Sequence, residues 1–202
     1  MFTTLPPAIQ DELAQLAQHL GQPVVHSADL VITGLFDPLN AKDRYGEVCM
    51  VVRRPGGHLL LMKKTFYPLG GYRLPTGGIN FGESIYDALL RETYEETGLE
   101  VISRHFLAAV AYRVPPLSDK PLFYTFAFLL DEVGGVLHPL DEHERIEGFR
   151  EILPAELPAV AETLEHVPSS FSENFSGNWH DWGLFRAIIH RQVWLALQQH
   201  TS

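Results

Sequence analysis

The chain has a single cysteine, Cys49, so no intrachain disulfide can form. Cys49 sits in the apolar run VCMVV, which reads as a small buried hydrophobe and not as a nucleophile. With no disulfide framework, a reducing cytoplasm is the expected setting. No apolar run approaches the roughly 18–20 residues that a membrane span needs. The opening residues, MFTTLPPAIQDELAQ, lack the basic segment and apolar block of a secretory signal, so a cytoplasmic location and no membrane partner are expected. Positive charge is also scarce. Fifteen Lys and Arg face 25 Asp and Glu, a net charge of −10 that disfavours nucleic-acid backbones and anionic surfaces. The ten histidines contain no HExxH pattern or close ligand pair, and no internal repeat or low-complexity tract is found.

What is present is an ordinary globular composition, 46% apolar and 20% charged, in 202 residues that suit one large domain with terminal extensions. Ile9, Leu13, Leu16 and Leu20 recur at helical steps over residues 6–20, and Gly21 ends them. Residues 23–35 suggest one or two short strands, and 36–46 a polar connection. Residues 47–54 and 58–64 flank Pro55-Gly56-Gly57 and read as a hairpin. A glycine- and proline-rich stretch then leads into ESIYDALLRETYEETG, residues 83–98. Two long strands are predicted over 100–114 and 121–133, and a short one around 148–152. Helices are predicted over 155–166 and 179–199, with PSSFSENFSGN between them as a polar loop. The last helix carries a stripe of Trp182, Phe185, Ile189, Val193 and Ala196 that serves either internal packing or a homodimer interface. The irregular alternation of strands and helices fits an α/β mixed sheet covered by helices.

Residues 83–98 pose a problem of charge. Ser84 and Asp87 form a capping-box pattern, and Gly98 can close the helix in the left-handed conformation. At ~100° per residue, Ile85, Ala88 and Leu89 define an apolar face. Glu92 and Glu96 fall on that same face, with Glu95 at its border. Clustered, partly buried carboxylates repel one another, and acid at a helix C-terminus opposes the macrodipole. Arg91 alone cannot neutralise them. Hard divalent cations such as Mg²⁺ or Mn²⁺ can.

The same residues resemble a known family. Gly77 to Leu99, GGINFGESIYDALLRETYEETGL, resembles the Nudix box, G-x5-E-x7-R-E-U-x-E-E-x-G-U with U bulky and apolar. Gly77, Glu83, Arg91, Glu92, Glu95, Glu96, Gly98 and Leu99 are in register. Thr93 departs from the pattern at one apolar position, where its branching and methyl group suit a packing variant. Thr76 and Asn80, just outside the defining pattern, stand where glycine and glutamate are common. The resemblance implies a Nudix-type α/β/α sandwich over residues 45–166. Residues 1–44 would be an N-terminal helix-and-strand extension, and residues 167–202 a C-terminal loop and helix packing on the same domain. It implies Glu92, Glu95 and Glu96 as metal ligands, Arg91 as the group orienting a ligand carboxylate, and Glu83 as a supporting acid. Gly77 and Gly78 would allow close approach of the backbone.

The activity implied is hydrolysis of a diphosphate linkage in a nucleoside diphosphate joined to another group. An Mg²⁺- or Mn²⁺-activated water would attack one phosphorus in line. The resemblance implies a catalytic role for Arg91, Glu95 and Glu96. It also implies a general base that is either a glutamate of the box or one from a later loop, where DEHERIEG offers Glu142, Glu144 and Glu147, with Glu144 favoured. Arg73 either meets phosphate or is a strand residue with its head in solvent, while Lys63 and Lys64 read as solvated. Tyr67, Tyr72, Phe81 and Tyr112 offer base-stacking surface or core packing. Some ADP-ribose-cleaving relatives carry a proline about sixteen residues past the box, where this chain has Pro115 and then Pro116. ADP-ribose or a nucleotide sugar is therefore favoured, with a nucleoside triphosphate substrate or a non-catalytic ligand sensor as alternatives. Sensor modules commonly lose part of the acid cluster, which is intact here.

Overall fold

The computed structural model describes residues 2–115 and 117–200, so Pro116 lies outside it, as does the side chain of Glu142. One mixed sheet organises the molecule, with strand order β1 (Val24–Asp29), β5 (Leu99–Val114), β6 (Ser118–Gly135), β2 (Arg44–Arg53), β3 (Leu59–Lys64) and β7 (Ile146–Ile152). β4 (Thr76–Asn80) pairs with β2 off this path. The β1–β5 and β2–β6 pairs are parallel, and β5–β6, β2–β3 and β3–β7 are antiparallel.

Strand alternation assigns the core to two faces. Val48, Met50 and Val52 join one apolar cluster, with Leu13 and Ala17 of α1 (Pro7–Leu20) and Ile85, Ala88 and Leu89 of α2 (Ile85–Thr97). Cys49 and Val51 face the opposite cluster, built with α3 (Leu157–Glu165) and α4 (Trp179–His200). Because both faces are covered, β2 is apolar at successive positions instead of alternating with polar residues. The result is the expected α/β/α sandwich. Trp182, Phe185, Ile189, Val193 and Ala196 all lie buried in the second cluster, so that stripe is consumed by internal packing.

Three local readings change. Only Val24–Asp29 of the 23–35 region is a strand. The polar loop before α4 contains a two-residue hairpin, β8 (Phe171–Ser172) with β9 (Gly177–Asn178). The expected 47–64 hairpin opens almost at once: β2 and β3 pair at Arg53 and Leu59, after which β2 turns to β4, with Cys49 opposite Thr76 and Val48 opposite Gly77. The segment Arg73–Pro75 fills the fork. Arg73 exchanges backbone hydrogen bonds with Met62, and Met50 N–H donates to the Pro75 carbonyl. Each buried peptide group is thereby paired. The fork delivers Arg73 and the glycine pair of β4 to one end of the sheet.

Candidate active site

Helix α2 is fixed at both ends. Ser84 Oγ accepts from Asp87 N–H at 3.0 Å, and Gly98, at φ 65°, closes the helix with its N–H on the Tyr94 carbonyl. Ile85, Ala88 and Leu89 are fully buried, and each large aliphatic side chain so removed from water contributes about 1.5–3 kcal/mol. Thr93 is also fully buried. Its hydroxyl donates to the Leu89 carbonyl at 2.6 Å, so the departure from the apolar pattern leaves no unsatisfied polar group. The anchored face then carries Glu92 and Glu96 inward, at 8% and 1% exposure.

Two devices hold Glu92. A Cβ on Gly77 would lie 2.1 Å from Glu92 Cδ, so the carboxylate occupies the space that glycine leaves. Arg91 Nη1 donates to Glu92 Oε1 at 2.8 Å and to Glu95 Oε2 at 3.0 Å. The rest of that guanidinium grips Glu83, Nε to Oε1 at 2.7 Å and Nη2 to Oε2 at 2.9 Å, and Nη2 also donates to the Gly78 carbonyl. Arg91 is thus the knot tying helix to glycine strand, and its hydrogen bonds hold the Glu83 carboxyl below its ordinary range.

Glu96 faces a carboxylate from a distant segment. Glu144, ending a short 3₁₀ turn, brings its carboxylate beside those of Glu92 and Glu96, and one oxygen from each lies within 4.8 Å of the others. Lys64 Nζ stands between, 2.5 Å from Glu144 and 3.6 Å from Glu96. Residue 145 locks the approach: Arg145 adopts φ 55°, its carbonyl accepts from Thr65 N–H, and its guanidinium lies 4.6 Å from the Phe66 ring centre. Burial pushes the Glu96 carboxyl up to about 8 against the pull of Lys64 and Arg73. Burial likewise raises Glu92, although Arg91 opposes it.

These groups line a cavity of about 320 Å³. Its lining also includes Asp37, Arg44, Glu47, Phe175, Trp182 and Arg186.

The NUDIX domain family pattern matches residues 44–175. The chain belongs to that family. An ADP-ribose pyrophosphatase of Methanocaldococcus jannaschii is 33% identical over 92 residues, covering 45% of this chain and 53% of that protein. An RNA pyrophosphohydrolase of Cereibacter sphaeroides is 30% identical over 122 residues, covering 52% of this chain and 75% of the relative. The chain therefore spans about half the length of the first relative and three quarters of the second. A solved UDP-X diphosphatase superposes with a TM-score of 0.49 at 17% identity, over 81% of this chain and 68% of that one.

Within this NUDIX domain, Glu92 and Glu96 meet as predicted, but the third carboxylate beside them is Glu144. Glu95 lies apart, with 43% of its side chain exposed and its oxygen on Arg91. Glu83 and the Gly78 carbonyl accept from Arg91, while Gly77 lies against Glu92. Lys63 and Lys64 are not solvated: Lys63 is 8% exposed and grips Glu147 at 2.7 Å, and Lys64 joins the carboxylates. Nor does Arg73 put its head in solvent. It is 2% exposed and donates to Tyr67 Oη, the Leu74 carbonyl and Thr76 Oγ1, framing the cavity floor. Tyr112 is core and Phe81 is 67% exposed, while Tyr67 packs on Trp182 at 4.8 Å. Pro115 stands in the β5–β6 turn and is not among the cavity residues, and Pro116 lies outside the described residues.

A hard divalent cation fits this donor set. The carboxylates of Glu92, Glu96 and Glu144 supply only oxygen ligands, and the buried Oε2 of Glu96 has no hydrogen-bond partner among the described residues.

Proposed function

We propose that this NUDIX protein hydrolyses a diphosphate linkage in a nucleoside diphosphate joined to a second group, using Mg²⁺ or Mn²⁺, with ADP-ribose or a nucleotide sugar as substrate. The observation that carries the reading is the convergence of Glu92, Glu96 and Glu144 in a cavity with cations on its margin. The bound cation would neutralise pyrophosphate charge, polarise a phosphoryl oxygen and acidify the attacking water. Glu92, Glu96 and Glu144 would hold it. Arg91 fixes Glu92 and restrains Glu95 beside it. Glu144, paired with Lys64, is also the group favoured to take the proton from water. Lys64, beside both Glu144 and Glu96, would supply positive charge at the cavity edge. The relative named as an ADP-ribose pyrophosphatase favours the same substrate class.

The test is chromatographic detection of the phosphomonoester products, or of pyrophosphate, with Mg²⁺ or Mn²⁺ across ADP-ribose, nucleotide sugars, nucleoside triphosphates, dinucleoside polyphosphates, coenzyme A and a 5′-triphosphorylated RNA. ADP-ribose or a nucleotide sugar should show the highest kcat/KM. Absence of turnover on every compound with both metals would leave the sensor reading in its place.

A further inference from the structure

Part of the cavity lining is not supplied by the acid helix. Trp182 and Arg186 lie on α4, beyond the matched residues 44–175, and Asp37 lies before them. Arg186 is 7% exposed and Glu47 4%, and they form an ion pair at 2.6 Å. Thr125 Oγ1 donates to the same carboxylate oxygen at 2.9 Å, while Arg186 Nε is buried without a partner among the described residues. The Phe185 ring supports the guanidinium, its centre 4.8 Å from Cζ.

A buried ion pair is a poor way to gain stability, because desolvation offsets most of the attraction. Its position suggests another use. Glu47 stands opposite Gly78 in the β2–β4 register, one strand spacing (~4.8 Å) from the glycine pair that cradles Glu92 and Arg91. A molecule held at the carboxylates therefore extends towards Arg186 and Glu47. The other cation in this part of the lining is also matched: Arg44 pairs with Asp37 at 2.7 Å. This part is rich in donors and acceptors but carries no net charge from these two pairs. An added phosphate would meet Glu47 as closely as Arg186 and gain little. A neutral group with a hydrogen-bond acceptor beside a donor would satisfy both, with Trp182 and Phe175 offering ring surface alongside.

We infer that Arg186 and Glu47 form a specificity-determining pair that reads the neutral, hydroxyl-bearing sugar of the substrate, and so select nucleotide sugars over nucleoside triphosphates. The inference rests on the hydrolase reading above. A nucleobase edge offers similar hydrogen bonds, but it is common to both substrate classes and would not give this preference.

The experiment compares wild type, Arg186→Gln and the double variant Glu47→Gln/Arg186→Gln, with Mg²⁺, on ADP-ribose, ADP-glucose, UDP-glucose, GDP-glucose and ATP. The double variant removes both charges together, so it stays folded even where the single change leaves Glu47 unpaired. Circular dichroism and thermal unfolding check this. KM for the preferred nucleotide sugar should rise about 10–100-fold, the scale of a lost charge-assisted hydrogen bond. Its kcat should change little, and the preference over ATP should shrink. Collapse of discrimination between ADP-ribose and ADP-glucose identifies the sugar as the group read. Collapse confined to the three glucose compounds, which differ only in their base, overturns the inference. Unchanged selectivity in a folded double variant, or an equal fall in kcat on every substrate, overturns the inference. Lack of turnover by wild type would instead overturn the underlying hydrolase reading.

Discussion

The two adjacent glycines of β4 should differ sharply in their tolerance of alanine. Gly77 does not need a positive φ, so a substitution there is judged on space alone. Its Cβ would lie 2.1 Å from Glu92 Cδ and 2.2 Å from Cγ, which forces the glutamate stem aside by more than ~1 Å from ordinary contact. Glu92 cannot yield freely, because Arg91 holds its carboxylate and α2 is packed to the core. Overpacking of this kind costs about 1–3 kcal/mol. A 1 Å misplacement at a reacting centre costs on the order of 100-fold in rate. Gly77→Ala should therefore lower kcat/KM about 100-fold and raise the Mg²⁺ concentration for half-maximal activity. At Gly78 the nearest atom is Arg44 Cδ at 2.8 Å, part of a flexible side chain that can swing away. Gly78→Ala should stay within about twofold of wild type, corresponding to ~0.5 kcal/mol. Initial rates of nucleoside monophosphate formation across an Mg²⁺ titration, with urea unfolding alongside, measure both effects. A folded Gly77→Ala protein with the wild-type rate and Mg²⁺ dependence would refute the placement of Glu92 and its role.

Other groups give independent tests. Glu96→Gln preserves shape but removes a carboxylate from the cluster, and activity should fall at least about 100-fold while circular dichroism stays unchanged. His190 accepts from Leu74 N–H at Nε2 and faces the Arg186 carbonyl through Nδ1, so the neutral ring satisfies both contacts. Burial pushes its pKa down to about 3, from the ordinary 6.5. Its contribution is thus complete above pH 6.5 and lost as pH falls towards 3. Between pH 7.5 and 5.5, urea unfolding should show wild type losing about 1.4 kcal/mol more than His190→Gln, and parallel pH profiles would contradict this. Pro115 sits in the β5–β6 turn and is not among the cavity residues, so Pro115→Ala should leave relative rates across diphosphate substrates unchanged in the same product-formation panel.

The sequence exposed α2 because a polar interruption of an apolar helical face is costly unless a ligand or partner explains it. The same signal stands in α4, where Arg186 and His190 continue the face of Trp182 in steps of four. Glu47 likewise interrupts a strand that is otherwise buried on both sides, and Lys64 ends the apolar run of β3. Lys64 looked like a surface charge, and Glu47 and Arg186 were not legible as a pair, because each partner is remote in the chain: Arg186 is 139 residues from Glu47, and Glu144 is 80 from Lys64. Periodicity reveals which face a charge occupies, but only the sheet order shows what meets it there. That is why Glu92 and Glu96 were legible from spacing, whereas Glu144 stood as one of several loop acids. The β2–β3 fork was hidden for a related reason, since a Pro-Gly-Gly turn favours local pairing and the competing pairing of β2 with β4 is non-local. Local chemistry therefore identifies the Glu92 and Glu96 side of the cavity, and long-range topology determines the side built by Glu47 and Arg186.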